Sequence, residues 1–94
     1  MIRKPAVAGQ FYESTPSRLI SQVNEYLEAD AEKASAIGIV CPHAGLMYSG
    51  RVAGAVYSRI TMPRTFILIG PNHTGFGQPV SLMSSGVWHM PDTR

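Results

Sequence analysis

Two histidines occupy equivalent positions in this 94-residue chain, and an imidazole can bind a metal ion or move a proton. His43 follows an apolar run and stands in the stretch "CPHAGLMYSG". His73 follows a second apolar run and stands in "GPNHTGFG". The glycines around both histidines let the backbone turn sharply and approach a ligand closely. The repeated placement predicts a site at which both imidazoles meet.

Metal binding is the most specific function that two such imidazoles suggest. Neutral imidazole suits iron, copper and zinc, and non-haem oxygenases combine two histidines with one carboxylate. The third ligand is not visible, because residues 33–91 contain no carboxylate and leave only Glu13 and Asp92. Neither of these acids lies at a predicted strand end. Cys41 is a candidate thiolate ligand, but a single cysteine beside a proline is more typical of a packed core residue.

A structural interpretation stands beside the metal hypothesis. Each histidine would then fix its own loop by donating one ring N–H to a backbone carbonyl. Under the same interpretation, Tyr48 is a packed phenol and Asn72 is an amide that stabilises a turn. A phosphate-binding loop is not indicated, because residues 70–77 lack both the lysine of a Walker motif and the GxGxxG pattern.

The elements around the histidines explain why both imidazoles would face one crevice. Residues 35–41 and 64–70 are short apolar runs typical of buried strands, and residues 49–60 carry an apolar stripe at helical spacing. The order strand, helix, strand predicts a βαβ unit with parallel strands. Parallel strands end at the same edge of a sheet, where ligands of open α/β sheets bind.

The rest of the chain completes an α/β prediction. Residues 2–12 read as an extended arm, and residues 14–34 as a helix with Ser14 or Thr15 as its cap and Pro16 in its first turn. Gly54 is expected to let the second helix pack closely against the sheet. Residues 79–84 are a candidate third strand. We therefore predict one domain over residues 1–94, with a βαβ-containing sheet sandwiched by helices.

Composition narrows the classes of function. Apolar residues make up 45% of the chain and charged residues 15%, which is typical of a globular protein, and a net charge of +2 does not indicate nucleic acid. The stretch without carboxylates carries arginines, either as solvated charges or as part of a site tolerant of anions, with Arg51 as a candidate anion contact. One cysteine, no secretory signal and no long apolar run predict a cytoplasmic protein without a membrane segment.

Three motifs in order resemble a known family. "KPAVAGQFY", "PHAGLMYSG" and "ILIGPNHTG" are similar to the N-terminal portion of the Memo family, whose fold resembles class III extradiol ring-cleaving dioxygenases. The resemblance covers about the first third of a family member, so it implies a partial domain of an α/β sandwich around a mixed sheet. It also implies that His43 and His73 bind a metal, with further ligands downstream. Iron, copper and zinc are the expected metals.

The resemblance also implies what surrounds the metal. Phe11 and Tyr48 match pocket positions for which phosphotyrosine-peptide binding has been proposed, and Asn72 is the third expected substrate or peptide contact. The first functional hypothesis is metal-dependent oxidation. The alternatives are a non-catalytic pocket for anionic or phosphotyrosine peptides, and an inactive fragment that needs a partner chain. Uncovered strand edges predict self-association or a partner that completes the sheet.

Overall fold

The chain forms two helices and a small parallel sheet. The computed structural model describes residues 1–91, and its elements in order are β1 (Ile2–Arg3), α1 (Pro16–Tyr26), α2 (Leu46–Ser58) and β2 (Val87–Trp88). The two strands run parallel, with Ile2 opposite Val87 and Arg3 opposite Trp88. The described part of the chain is thus α/β. Neither of its helices has the length and apolar character needed to cross a membrane.

Helix α1 begins where the sequence predicts. Thr15 has an extended backbone at the N-cap position and Pro16 opens the helix, where its missing N–H leaves no bond unmade. The amide of Leu19 donates to the carbonyl of Thr15 at 2.9 Å. The Leu19 side chain lies on the apolar stripe and is only 5% exposed. Pro16 and the apolar spacing therefore determine how this helix starts and which side it buries.

The predicted end of this helix is wrong, since α1 ends at Tyr26 and residues 27–34 are not helical. Leu27 turns into an extended conformation, with φ of −74° and ψ of 139°. The amide of Glu28 then donates to the hydroxyl of Ser58 on α2 at 2.8 Å. Ser58 is buried, so a contact with the second helix replaces the next turn of the first.

Helix α2 begins three residues before the predicted cap, Ser49. Gly45 is the N-cap residue, and its carbonyl accepts hydrogen bonds from the amides of Tyr48 at 2.8 Å and Ser49 at 3.1 Å. The Ser49 hydroxyl donates to the carbonyl of Ala44 at 2.9 Å. Ser49 therefore ties the helix to the loop before it, and does not cap the free amides.

The two helices pack through glycines. Gly50 and Gly54 are buried in α2 and face Tyr26, the last residue of α1. A Cβ atom at Gly50 would lie 2.6 Å from the Tyr26 ring, and one at Gly54 would meet the Tyr26 carbonyl. The close approach predicted for Gly54 is present, but its partner is α1 rather than a sheet. Exposed ion pairs link Arg51 to Glu25 and Arg59 to Glu28 across the same helix pair.

The predicted strands at residues 35–41, 64–70 and 79–84 do not form in this structure. Within residues 1–91, no backbone hydrogen bond joins the first of these segments to the second. A parallel bridge between Ala34 and Ile60 precedes both segments. In it, the Ala34 amide donates to the carbonyl of Arg59 at 3.0 Å, and the Ala34 carbonyl accepts from the amide of Thr61 at 3.0 Å. Apolar parallel strands are stable when both faces are covered, and here they are not.

Because these strands do not form, many of their apolar side chains are exposed to solvent. Ile67 and Ile69 are 87% and 89% exposed, while Phe66 and Leu68 are 65% and 66% exposed. The chain exposes 8270 Å², whereas a closed protein of this mass exposes about 5300 Å². Its radius of gyration is 14.5 Å, against about 12 Å for a compact domain of this length. The described core is correspondingly small and centres on the packing of α1 against α2.

Candidate metal centre

The structure brings the two predicted histidines together. The Nε2 atoms of His43 and His73 lie 3.0 Å apart, and the ring centroids are separated by 5.2 Å with a tilt of 37°. Both rings are exposed to solvent. At this distance one ring nitrogen can donate a hydrogen bond and the other accept it. The parallel bridge between Ala34 and Ile60 joins the chain before the two segments, and the two imidazoles meet after them.

The loop of His43 is held by the N-terminal arm. The carbonyl of Phe11 accepts a hydrogen bond from the amide of Leu46, the first residue of α2, at 2.8 Å. The bond from Ser49 to Ala44 closes the same loop from the other side. This anchor could not be predicted from the sequence, because a main-chain carbonyl leaves no signature in residue type.

The loop of His73 is held by Asn72. The Oδ1 atom of Asn72 accepts from the amide of Gly75 at 2.9 Å, and its Nδ2 donates to the carbonyl of Phe76 at 3.1 Å. Gly75 has a φ of 71°, a conformation that favours glycine. Both ends of the Asn72 amide therefore bond to the loop itself. A direct contact from Asn72 to substrate stays a prediction.

The two predicted aromatic residues flank the start of α2. A Cβ atom at Gly45 would lie 3.6 Å from the Cα of Phe11 and 3.6 Å from Cδ2 of Tyr48, so the small residue separates them. The exposed fractions are 51% for Phe11 and 82% for Tyr48. Both rings are thus accessible close to the His43 loop, and their predicted contact with a substrate or peptide stays a prediction.

The candidates for a third ligand do not complete a metal site. Within residues 1–91, no three His, Cys, Asp or Glu side chains are grouped to hold a metal ion. Glu13 lies at the approach to α1, where its amide donates to Gln22 at 2.9 Å. Burial raises the pKa of the Cys41 thiol, and a side-chain hydrogen bond with Tyr57 partly opposes this shift. Asp92 lies outside the described residues.

Arg51, the predicted anion contact, has partners on α1. Its guanidinium lies 4.0 Å from a carboxylate oxygen of Glu25 and 6.0 Å from the centre of the Tyr26 ring. Both side chains of the ion pair are largely exposed, so solvent screens the pair. The structure therefore assigns Arg51 a contact within the helix pair.

The spacing of the imidazole nitrogens fits two neighbouring positions on one metal ion. Metal–nitrogen bonds to histidine are about 2.1 Å long. Two nitrogens 3.0 Å apart would therefore both lie within bonding distance of a single ion placed between them. A pair of imidazoles suits iron, copper and zinc.

Comparison with known proteins gives a consistent family. The family described as "Memo-like protein" matches residues 3–92. A "MEMO1 family protein" of Methanosarcina barkeri is 46% identical over 91 residues, which cover 96% of this chain and 34% of that protein. A relative from Archaeoglobus fulgidus is 46% identical over 90 residues, and one from Pyrobaculum aerophilum 43% over 102. The chain spans about a third of the length of these curated relatives. No solved structure matches it significantly.

Proposed function

Because the chain belongs to the Memo-like protein family, we propose that it contributes His43 and His73 as two ligands of a metal-binding pocket. The observation that carries this proposal is the 3.0 Å separation of their Nε2 atoms. The remaining ligands come from outside the residues described here. The pocket serves metal-dependent oxidation in a protein with the α/β sandwich of the extradiol dioxygenase-like fold.

In the complete sandwich, residues 35–41 and 64–70 are neighbouring parallel strands. The bridge between Ala34 and Ile60 supports this arrangement, because the residues that precede the two segments pair in the parallel direction. The meeting of His43 with His73 supports it at the other end. The two imidazoles then lie at the carboxyl edge of the sheet, the usual position of a ligand site in open α/β folds.

The chain's own residues hold and orient the reactants. Iron or copper would supply a redox-active Lewis acid with open positions, and zinc a Lewis acid alone. His43 and His73 bind through Nε2, and Asn72 keeps the second of them in place through its loop. Phe11 and Tyr48 present exposed aromatic surface beside the pocket for an apolar or aromatic substrate.

Metal titration of the purified chain tests this proposal. We expect one equivalent of Cu²⁺ or Zn²⁺ to bind by isothermal titration calorimetry, because both ions favour imidazole nitrogen. His43→Ala and His73→Ala should each weaken binding at least about tenfold, since losing one of two ligands removes most of the chelation. The matched control is His89→Ala, the remaining histidine, whose backbone amide bonds to the carbonyl of Arg3 at 2.8 Å. Equal affinity in all three variants would contradict the assignment.

A second candidate function is a pocket that binds anionic or phosphotyrosine peptides without turnover. Two observations favour it: the exposed rings of Phe11 and Tyr48, and the absence of carboxylates from residues 33–91. Titration with a phosphotyrosine peptide and its unphosphorylated twin distinguishes this function from metal chemistry. Equal affinities, or no binding of either peptide, would eliminate it.

A further inference from the structure

We propose that Asn72 is a positioning residue, which holds His73 in place for metal binding without contacting the metal, a substrate or a peptide. The proposal rests on the proposed function, because it concerns the same pair of histidines. It adds that the two halves of the pocket depend very differently on a single side chain. Direct contact of Asn72 with a substrate or peptide is the competing role, and the experiments below separate the two.

The Asn72 amide is engaged at both ends inside its own loop. Its Oδ1 atom accepts from the amide of Gly75 at 2.9 Å and from the hydroxyl of Thr74 at 3.4 Å. Its Nδ2 atom donates to the carbonyl of Phe76 at 3.1 Å. Both lone pairs of the oxygen are thereby used, and one N–H is left for any other partner. These bonds enclose His73 in a loop of five residues.

The loop of His73 has little other support. Among the residues that the structure describes, the one hydrogen bond from residues 72–76 to another segment joins His73 to His43. All five residues are exposed, and a Cβ atom at Gly75 would meet nothing within 4 Å. Packing therefore does not fix this loop, and its conformation depends on the bonds of Asn72.

The loop of His43 is held in a different way. The amide of Leu46 donates to the carbonyl of Phe11 at 2.8 Å, and the Ser49 hydroxyl donates to the carbonyl of Ala44 at 2.9 Å. Helix α2 begins directly after this loop and packs against α1. Removing the Ser49 hydroxyl thus leaves the loop attached both to the N-terminal arm and to a packed helix.

This difference matters because the orientation of a ligand contributes to metal affinity. Groups that hold a metal ligand without touching the metal typically account for a factor of about 10 to 100 in affinity. For His73, the side chain in that role is Asn72. For His43, Ser49 shares the role with a main-chain bond. Loss of Asn72 should therefore weaken metal binding far more than loss of Ser49.

Titration of the chain with Cu²⁺ by isothermal calorimetry tests this difference. Asn72→Ala should weaken binding at least about tenfold. The matched control, Ser49→Ala, should weaken it less than about threefold, because the bond between Phe11 and Leu46 remains. Residues 72–76 are exposed and lie outside both helices, so Asn72→Ala should keep the circular dichroism spectrum of the unaltered chain.

A carboxylate at position 72 tests where the side chain points. Asn72→Asp supplies the acidic ligand that accompanies two histidines in many non-haem iron sites, so binding would strengthen if this side chain reached the metal. Because the side chain bonds to its own loop, binding should instead weaken, since a carboxylate cannot donate to the carbonyl of Phe76. The titration is performed in about 1 M salt, where screening restricts the added charge to a range of about 3 Å.

Two further measurements follow the histidines and the loop directly. The electron paramagnetic resonance spectrum of bound Cu²⁺ reports how many nitrogens bind the ion. We expect a two-nitrogen spectrum for the unaltered chain and for Ser49→Ala, and a one-nitrogen spectrum for Asn72→Ala at equal copper occupancy. In the metal-free chain, hydrogen exchange of the Gly75 amide should accelerate in Asn72→Ala, because this amide loses its acceptor.

Several results would overturn the proposal. Unchanged Cu²⁺ affinity in Asn72→Ala, with binding of a phosphotyrosine peptide lost, would make Asn72 a direct contact. Tighter binding in Asn72→Asp would show that this side chain reaches the metal. Equal losses in Asn72→Ala and Ser49→Ala would remove the difference between the two loops. If His43→Ala and His73→Ala leave the affinity unchanged, the proposed function itself fails, whereas faster exchange at Gly75 would still show that Asn72 holds its loop.

Discussion

Cys41 lies two residues before His43, and its environment bears on whether a thiolate takes part in the pocket. Burial raises the pKa of this thiol, and the Tyr57 side chain acts in the opposite direction. A raised pKa means that the neutral thiol is favoured in the folded chain. The neutral thiol is therefore the favoured form of Cys41 at neutral pH.

This environment gives a pH-dependent prediction for Cys41. Its alkylation by iodoacetamide should reach half its maximal rate above about pH 8.5, the ordinary thiol value, because only the thiolate reacts. Tyr57→Phe removes the hydrogen bond that lowers the pKa, so the midpoint should move further upward. The rate–pH profile is measured by mass spectrometry, with the urea-unfolded chain as the control. A midpoint in the folded chain at or below that of the unfolded chain would contradict this prediction.

At the scale of elements, the pairing of α1 with α2 depends on two glycines. A Cβ atom at Gly54 would meet the carbonyl of Tyr26, which is backbone and cannot swing away. The helices would have to separate, and their exposed ion pairs contribute too little to resist this. Packing against α1 therefore requires glycine at position 54, although glycine has a low helix propensity.

Gly54→Ala should destabilise the chain despite the better helix propensity of alanine. Overpacking costs about 1–3 kcal/mol, and the propensity gain offsets at most about 1 kcal/mol of it. Because the overlap is with backbone, the cost lies towards the upper end, and we expect the free energy of unfolding, measured by far-ultraviolet circular dichroism in urea, to fall by about 2 kcal/mol. Gly38→Ala is the control, since a Cβ atom there meets nothing within 4 Å. A more stable Gly54→Ala variant would show that the helices do not pack in this way.

The helix boundaries show which structural features the local sequence can predict. Pro16 and the apolar spacing give the start of α1, but its end depends on the buried Ser58, more than thirty residues away in the sequence. Ser49 has a residue type typical of an N-cap but is not one. The carbonyl of Gly45 accepts the first hydrogen bonds of the helix, and the Ser49 hydroxyl donates to the carbonyl of Ala44. Tertiary contacts decide both boundaries, and a local pattern does not contain them.

For the candidate site too, the sequence predicts some features and leaves others to tertiary contacts. The sequence predicts that His43 and His73 meet, and they do, although the parallel strands on which this prediction rests do not form here. The ladder between the segments does not follow from order alone, because apolar strands need cover on both faces. The third ligand could not be predicted at all, since residues 33–91 contain no carboxylate.

For the whole molecule, the open surface predicts a weak dependence of stability on denaturant. The urea m-value is proportional to the area exposed on unfolding. With 8270 Å² already exposed, unfolding uncovers about two thirds of the area that a closed domain of this mass would uncover. We therefore expect an m-value about two thirds of that usual for this length.

Equilibrium urea titration of the chain alone measures this m-value. The comparison is a fusion protein in which the part of the Methanosarcina barkeri relative that follows its matched third is attached after residue 94. Its m-value should rise by more than the added length accounts for, because residues 35–41 and 64–70 become buried there. A full-sized m-value for the isolated chain would mean that it closes its own surface in solution.

The bridge between Ala34 and Ile60 has a consequence for the speed of assembly. Closing a loop as long as residues 35–59 costs about 3 kcal/mol of chain entropy, which normally must be overcome before distant strands can pair. Here that loop is closed by the bridge before residues 35–41 and 64–70 pair. Pairing of these two segments should therefore be faster than pairing of strands at the ends of an open loop of the same length.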